Sequence, residues 1–336
     1  MNRTIGSWMA SALLAAATAV AAQETRDSKP ADGEKAPGQR LRVQFLETRQ
    51  LDGKTTLKRS SMMVLHTDDK PARAFVGVQV PLATTEKAVM YMYKEVGVDV
   101  QAGVQALADG RYRLDATFEA GSPLGPRGAP LTGDRTATSD RQNPILHVAK
   151  TSTKLTLREG ETVPFASLVD PVTGELVRFD ATVTAAPETA AAHGTGRKDA
   201  RLRAQFVLSR RQGDKKIASR PYSVVLLAGE QTSASLFSGS QLPMDVTNDG
   251  QRPVMLKDIG AHAHVRAELA VDGRYRLDVK FDDGSLLDRG PGPSLLTLRS
   301  ETRLFMHPGE AVVFTSAVDP QSGDTVDVEV ALEALK

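Results

Sequence analysis

The chain contains no cysteine among its 336 residues. A disulfide framework, a thiolate metal site, a thiol nucleophile and a lipid-bearing thiol are all excluded. Aromatics make up only 5% of the residues, and the single tryptophan, Trp8, lies close to the N-terminus, so the remainder lacks the tryptophan platforms common in sugar-binding modules. An excess of one charge is missing too. Lys and Arg number 42 against 41 Asp and Glu, which leaves no electrostatic footprint for nucleic acid or an anionic membrane. No run approaches the roughly 20 apolar residues needed to span a bilayer. Neither a Gly-x-Ser-x-Gly nucleophile elbow nor a phosphate-binding glycine loop entering a helix is present. The stretches Gly121-Ser-Pro-Leu-Gly-Pro126 and Gly290-Pro-Gly-Pro293 are broken by proline.

The N-terminus has the three parts of a secretory leader over residues 1–22: Arg3, an apolar run from Met9 to Val20, and small residues around Ala19-Val20-Ala21-Ala22. Arg3 is the only charge in that stretch, so basic and acidic residues balance after its removal (42 − 1 = 41 against 41). The expected compartment is the bacterial periplasm or exterior, where a chain without disulfides must fold on burial alone. Residues 23–39 are polar and rich in Gly, Pro and charge, and are expected to form a disordered tether.

What is present is an internal repeat. Asp109-Gly-Arg-Tyr-Arg-Leu-Asp115 recurs as Asp272-Gly-Arg-Tyr-Arg-Leu-Asp278, 163 residues later (272 − 109 = 163). Lys94-Glu-Val-Gly97 answers Lys257-Asp-Ile-Gly260 at the same offset, and Arg40-Leu-Arg-Val-Gln-Phe45 answers Arg201-Leu-Arg-Ala-Gln-Phe206 at 161 (201 − 40 = 161). Downstream, Asp170-Pro-Val-Thr-Gly-Glu175 answers Asp319-Pro-Gln-Ser-Gly-Asp324 at 149 (319 − 170 = 149). The drop in offset reflects a longer loop in the first copy. The expected organisation is a β-domain over residues 40–184, a linker over 185–200 and a second copy over 201–336.

Within each copy apolar residues alternate with polar ones, and turn residues separate the runs. Val326, Val328, Val330 and Leu332 alternate with Asp327, Glu329 and Glu333; Val177, Phe179, Ala181 and Val183 alternate with Arg178, Asp180 and Thr182. A three-residue loop, Val271-Asp-Gly273, places Leu269 opposite Tyr275 and Ala267 opposite Leu277, and pairs Glu268 with Arg276 and Arg266 with Asp278. A two-residue loop would mix core with solvent. In the first copy the same rule sets Ala106 opposite Tyr112 and Val104 opposite Leu114. Seven or eight strands per copy follow, and the predicted fold is all-β: two tandem homologous antiparallel β-sandwich or partly closed barrel domains. Residues 119–144 read as a long Gly/Pro/polar insert.

Taken in order, Arg73-Ala-Phe-Val-Gly-Val-Gln-Val-Pro81, Tyr93-Lys-Glu-Val-Gly-Val-Asp-Val100, Asp109-Gly-Arg-Tyr-Arg-Leu-Asp115, Glu119-Ala-Gly-Ser122 and Leu157-Arg-Glu-Gly-Glu-Thr162 resemble the β-domain of bacterial secretins, the outer-membrane ring proteins of type II and III secretion and type IV pili. The resemblance covers about ninety residues of the first copy and is fainter in the second. It departs from the family after Thr162, where Val163-Pro-Phe-Ala-Ser-Leu168 replaces a Gly-Gly-Leu run. Pore hairpins and N-terminal ring-stacking modules are also lacking. What it implies is a related β-fold and an envelope setting, and not a pore.

Candidate chemistry is sparse. His262 and His264 share one face of a strand and are the metal-ligand candidates, with Asp282 opposite His262; Lys280 opposite His264 weighs against a cation. His66, His147, His193 and His307 have no recognisable companions, and Asp282-Asp283 and Asp68-Asp69 read as solvated pairs at turns. The expectation is therefore a non-enzymatic protein without cofactor, working through protein partners or self-association at β-sheet edges. The alternative is a secreted enzyme or small-ligand binder with its site between the copies or under the 119–144 loop.

Overall fold

β-branched and aromatic residues at alternate positions, separated by Gly, Pro and Asp turns, are what a pleated surface with one buried face requires, and the chain folds accordingly. A computed structural model describes residues 38–83, 91–124, 145–170, 173–186, 196–229, 233–245, 254–287, 294–319 and 322–335. The expected leader 1–22, residues 23–37 of the expected tether and 187–195 of the expected linker lie outside them. The described residues contain no α-helix. The first copy contributes β1 (Arg40–Leu51), β2 (Lys54–His66), β3 (Ala72–Ala83), β4 (Tyr91–Ala106), β5 (Tyr112–Leu124), β6 (Ile145–Leu157), β7 (Thr162–Val169) and β8 (Leu176–Ala185). The second repeats the series as β9 (Arg201–Gln212), β10 (Lys215–Leu227), β11 (Ser233–Asp245), β12 (Val254–Leu269), β13 (Tyr275–Leu287), β14 (Ser294–Met306), β15 (Ala311–Val318) and β16 (Thr325–Ala334).

The strands form two eight-stranded antiparallel sheets, and each sheet takes four strands from either copy. One has the order β10-β9-β16-β15-β2-β1-β8-β7, the other β11-β12-β13-β14-β3-β4-β5-β6. The copies are thus joined edge to edge: β15 pairs with β2 in one sheet and β14 with β3 in the other. The described residues form one compact unit. One apolar cluster runs through both copies, from Leu41, Phe45 and Phe118 to Phe206, Phe281 and Val330. Phe118 and Phe179 lie 4.8 Å apart between ring centroids and Phe206 and Phe281 5.8 Å apart, contacts that interlock the inner faces.

The repeated heptapeptide forms the predicted hairpin. Leu269 pairs with Tyr275, Ala267 with Leu277, Glu268 with Arg276 and Arg266 with Asp278, and Ala106 with Tyr112 and Val104 with Leu114. Gly110 and Gly273 take φ of 79° and 82°, where a Cβ would be strained. Each Asp of the motif accepts from the backbone and side chain of the Arg two residues on: Arg111 Nε donates to Asp109 Oδ2 at 2.7 Å and Arg274 Nε to Asp272 Oδ2 at 2.6 Å. Each Tyr hydroxyl ties down the segment entering its copy. Tyr112 donates to Gln39 Oε1 at 2.8 Å, and Tyr275 donates to the Arg197 carbonyl at 3.0 Å while accepting from the Arg197 N–H at 2.7 Å.

An arginine on the adjoining strand holds the acidic residues at the ends of the β7–β8 and β15–β16 hairpins, Arg49 buried and Arg210 half-buried. Arg210 reaches Asp319 at 3.1 Å and Asp324 at 3.9 Å, and Arg49 reaches Asp170 at 3.8 Å and Glu175 at 3.7 Å.

The structure departs from the sequence expectations in several places. Strand β5 runs through Leu124, with Glu119 opposite Lys150, because β6 supplies a ladder for it; only the later part of the 119–144 insert, residues 125–144, lies outside the described residues. Gln39, expected in the tether, donates its N–H to Thr67 Oγ1 at 2.9 Å. Gly196, expected in the linker, donates to the Gly273 carbonyl at 3.1 Å. Asp180 and Asp327, expected on wet faces, are buried beside Arg178 and Arg211. Asp283 is no solvated turn residue either: it sits in β13 with its side chain buried, on the same alternation as Phe281.

A line of glycines crosses the second sheet at one level. Gly239 pairs with Gly260, Gly260 with Gly284, Gly284 with Thr297, Thr297 with Gly77, Gly77 with Gly97, and Gly121 with Val148. A Cβ on Gly97 would stand 2.2 Å from the Val76 carbonyl oxygen, and one on Gly239 1.9 Å from that of Ile259. At Gly77, Gly97, Gly239 and Gly260 the neighbouring backbone approaches too closely for a Cβ.

Candidate functional site

Of the three sequence candidates, the structure brings two together. His262 faces Asp282 across β12 and β13, and both line a cavity of about 230 Å³ with Gln79, Lys257, Asp258 and Arg299. His264 is opposite Lys280 and lies outside it. Asp282 Oδ1 is taken by Arg299 Nε at 2.7 Å, and Arg299 Nη2 reaches Glu95 Oε1 at 3.2 Å. Burial works against the Arg299 charge, but the Asp282 hydrogen bond and the Glu95 field outweigh it and raise its pKa. Among the described residues no three His, Cys, Asp or Glu side chains converge as a metal cage would require. The cavity wall carries cations of its own.

Two groups that the sequence presents as a lone histidine and a solvated carboxylate, His66 and Asp283, are buried. His66 is buried at the junction of the copies, where its Nε2 accepts from the Phe305 N–H at 3.3 Å and its Nδ1 faces the Gly38 carbonyl at 3.4 Å. Burial, aided by the Arg40 charge, lowers its pKa to about 3. Asp283 lies inside, and its Oδ1 has no hydrogen-bond partner among the described residues. Desolvation raises its pKa against the opposing fields of Arg220 and Arg210. Desolvation and the Asp283 charge likewise raise that of Tyr222.

The junction itself is rich in charge. Arg40 and Glu310 form a fully buried ion pair, and Arg40 also donates to the Phe305 carbonyl. Arg303 joins Asp278 of its own copy at 2.7 Å to Asp69 of the other at 2.8 Å, as Arg299 joins Asp282 to Glu95. Opposite signs placed across paired strands fix which residues face one another.

Among the described residues, the same sheets stop at the far ends. β10 and β11 end them on the second copy's side, β7 and β6 on the first's. Nine large hydrophobic side chains are exposed among the described residues, and six belong to these four strands: Val148, Val169, Ile217, Val225, Leu227 and Phe237. Open edges carrying apolar side chains are what strand addition by a partner requires. Sequence alone did not reveal them, because alternation shows which residues share a face and not which strand comes last.

No protein-family profile matches the chain, and neither does any curated protein. Its structure is similar to solved secretin β-barrel domains. The secretin-domain β-barrel of InvG from the Salmonella SPI-1 injectisome is 11% identical, over 66% of this chain and 88% of that one, with a TM-score of 0.30. The type II secretion system secretin GspD of E. coli K12 is 10% identical over 90% of this chain and 51% of that one, TM-score 0.29. The type IV competence pilus secretin PilQ of V. cholerae is 13% identical over 89% and 61%, TM-score 0.26. The chain thus spans about half the length of that GspD. At low identity, it is similar to the secretin β-domains that its motif order resembles.

Proposed function

We propose that this is an exported, non-enzymatic β-protein of the bacterial envelope that works through protein contacts at the open edges of its sheets, accessory to secretion or pilus machinery. The observation that carries the reading is the concentration of exposed apolar side chains on β6, β7, β10 and β11. The leader-like sequence of residues 1–22 supports export. The envelope machinery is the setting that the secretin-like motif order implies.

Cross-linking in intact envelopes tests it. The parent chain is expected to retain defined protein partners, and Val225→Lys with Phe237→Lys to lose them while remaining folded. Equal capture by parent and variant would remove the edges from the function. A second reading, small-ligand binding, rests on the cavity at His262, Asp282 and Arg299, which Gln79 of the other copy completes. Saturable binding of a small anion abolished by Arg299→Gln would favour it.

A further inference from the structure

We infer that the cavity at His262, Asp282 and Arg299 is a saccharide site, a glycine-floored trench across one face of the second sheet that seats a pyranose ring. This rests on the second reading above, that the cavity holds a small ligand, and names the chemistry of that ligand.

Strand register builds the trench. Phe237, His262, Asp282 and Arg299 are successive cross-strand neighbours on β11 to β14 and form one wall. Two residues along the strands lies the floor, where Gly239, Gly260, Gly284 and Thr297 are neighbours in turn. Two residues further, Asp258 on β12, Leu295 on β14 and Gln79 on β3 form the facing wall. The walls are thus separated by about 13 Å of strand. Thr297 is the one floor residue with a side chain, so a flat ring can rest against backbone. A cavity of roughly 150 Å³ accommodates benzene. The trench, at about 230 Å³, has room for a pyranose and its hydroxyls.

The lining selects the class of ligand. Gln79 is 6% exposed. Its amide nitrogen donates to Glu95 Oε1 at 3.3 Å, while its own Oε1 is buried with no hydrogen-bond partner among the described residues. A buried acceptor left without a donor is costly, so the ligand that fits brings a hydroxyl or an N–H. A carboxylate or sulfate carries acceptors only. Arg299, the cation that would attract such an anion, is already held by Asp282 and Glu95. What the walls present instead is a set of planar groups, guanidinium, carboxylate and amide, with donors and acceptors side by side. Vicinal hydroxyls both donate and accept, and meet such groups two at a time. The C–H face of a sugar ring needs an apolar neighbour, and Phe237, 45% exposed, supplies it beside His262.

The first copy shares the glycines but not the lining. Phe75, Asp99, Glu119 and Lys150 form the equivalent row. There Phe75 is 5% exposed, and Val148, 46% exposed, takes the place of Thr297. An aromatic face open to a ligand and a hydroxyl in the floor therefore occur together in the second copy.

Gly284 separates binding from folding. Its φ is not positive, and a Cβ there would stand 3.8 Å from its nearest neighbour, an ordinary contact. Gly284→Val fills the floor without straining the strand, and Gln79→Met removes the acceptor at nearly constant volume. The purified chain and both variants are titrated calorimetrically with glucose, N-acetylglucosamine, cellobiose and N,N′-diacetylchitobiose, and with acetate and sulfate, beside thermal unfolding. The expected result is saturable binding of at least one sugar, weakened at least tenfold in each variant while the unfolding temperature of Gly284→Val is unchanged. A disaccharide bound more tightly than its monosaccharide identifies a glycan chain as the source and equal affinity a free sugar; both uphold the site. Sugar binding unchanged in both variants would overturn it. Should Gly284→Val fail to fold, Gln79→Met decides alone. If no sugar binds at tens of millimolar but acetate or sulfate binds and is lost in Gly284→Val, the saccharide falls and the small-ligand reading stands. If no probe binds, both fall. Gly284 and Gln79 lie on inner strands of the sheet, so none of these outcomes bears on capture of partners at the edges.

Discussion

Arg40 and Glu310, 270 residues apart, meet as a buried ion pair where the two copies join. A buried pair that loses one member leaves an uncompensated charge in the interior, which typically costs about 3–5 kcal/mol. Arg40→Ala and Glu310→Ala are each expected to lower unfolding stability by about that amount in urea titrations. The exposed counterpart substitution, Glu161→Ala, should change stability by less than about 1 kcal/mol.

His66 makes the same junction sensitive to acid. Its folded-state pKa, about 3, lies below the ordinary value of 6.5, so the unfolded chain takes up the proton first. The stability it contributes is full above pH 6.5 and is lost as pH falls from there toward 3. Across that window the loss is on the order of a few kcal/mol. The second copy has Leu227 at the corresponding position (66 + 161 = 227). In thermal unfolding followed from pH 7 to pH 4, His66→Leu is expected to flatten the decline.

Asp283 works in the opposite direction. Its pKa is raised by burial, so the folded state holds the proton more tightly than the unfolded one, and stability falls as pH rises through the folded pKa. Removing the charge from a poorly partnered buried carboxylate should therefore stabilise the protein at neutral pH. Asp283→Asn is expected to gain about 1–3 kcal/mol at pH 7 and nothing in strong acid. A loss at pH 7 would show that Arg210 and Arg220 satisfy the carboxylate.

The two heptapeptide tyrosines hold the lead-in segments by their hydroxyls alone, since the rings are packed in either case. Tyr112→Phe and Tyr275→Phe should each cost about 1 kcal/mol. Amide exchange at Gln39 and Arg197 should accelerate selectively.

At the glycine line, Gly97→Ala would force a Cβ against backbone. Such overpacking costs about 1–3 kcal/mol, and the change is expected as a lowered urea midpoint. Gly53, with φ of 75° but nothing within 4 Å of an added Cβ, separates the two glycine effects: Gly53→Ala tests backbone strain alone.

Much of this protein could be read from its residues in order. Alternation of apolar and polar side chains specified strands, the repeat specified two equivalent sets of them, and the demand that Tyr275, Leu277 and Phe281 share a face specified the hairpin register to the residue. All three depend on neighbours in sequence or on one turn. The tertiary structure decided how the sheets join. Alternation is indifferent to which strand lies beside which, so nothing local marks β2 as the partner of β15, and His66 and Arg40 look unremarkable until Phe305 and Glu310 are brought to them. For the same reason the candidate His262, His264 and Asp282 could be placed on their faces, yet only the packed molecule showed Arg299 already holding Asp282 and which strands end the two sheets. Pairing between distant strands is a long-range event, governed by burial and charge across the junction, and a linear pattern carries no record of it.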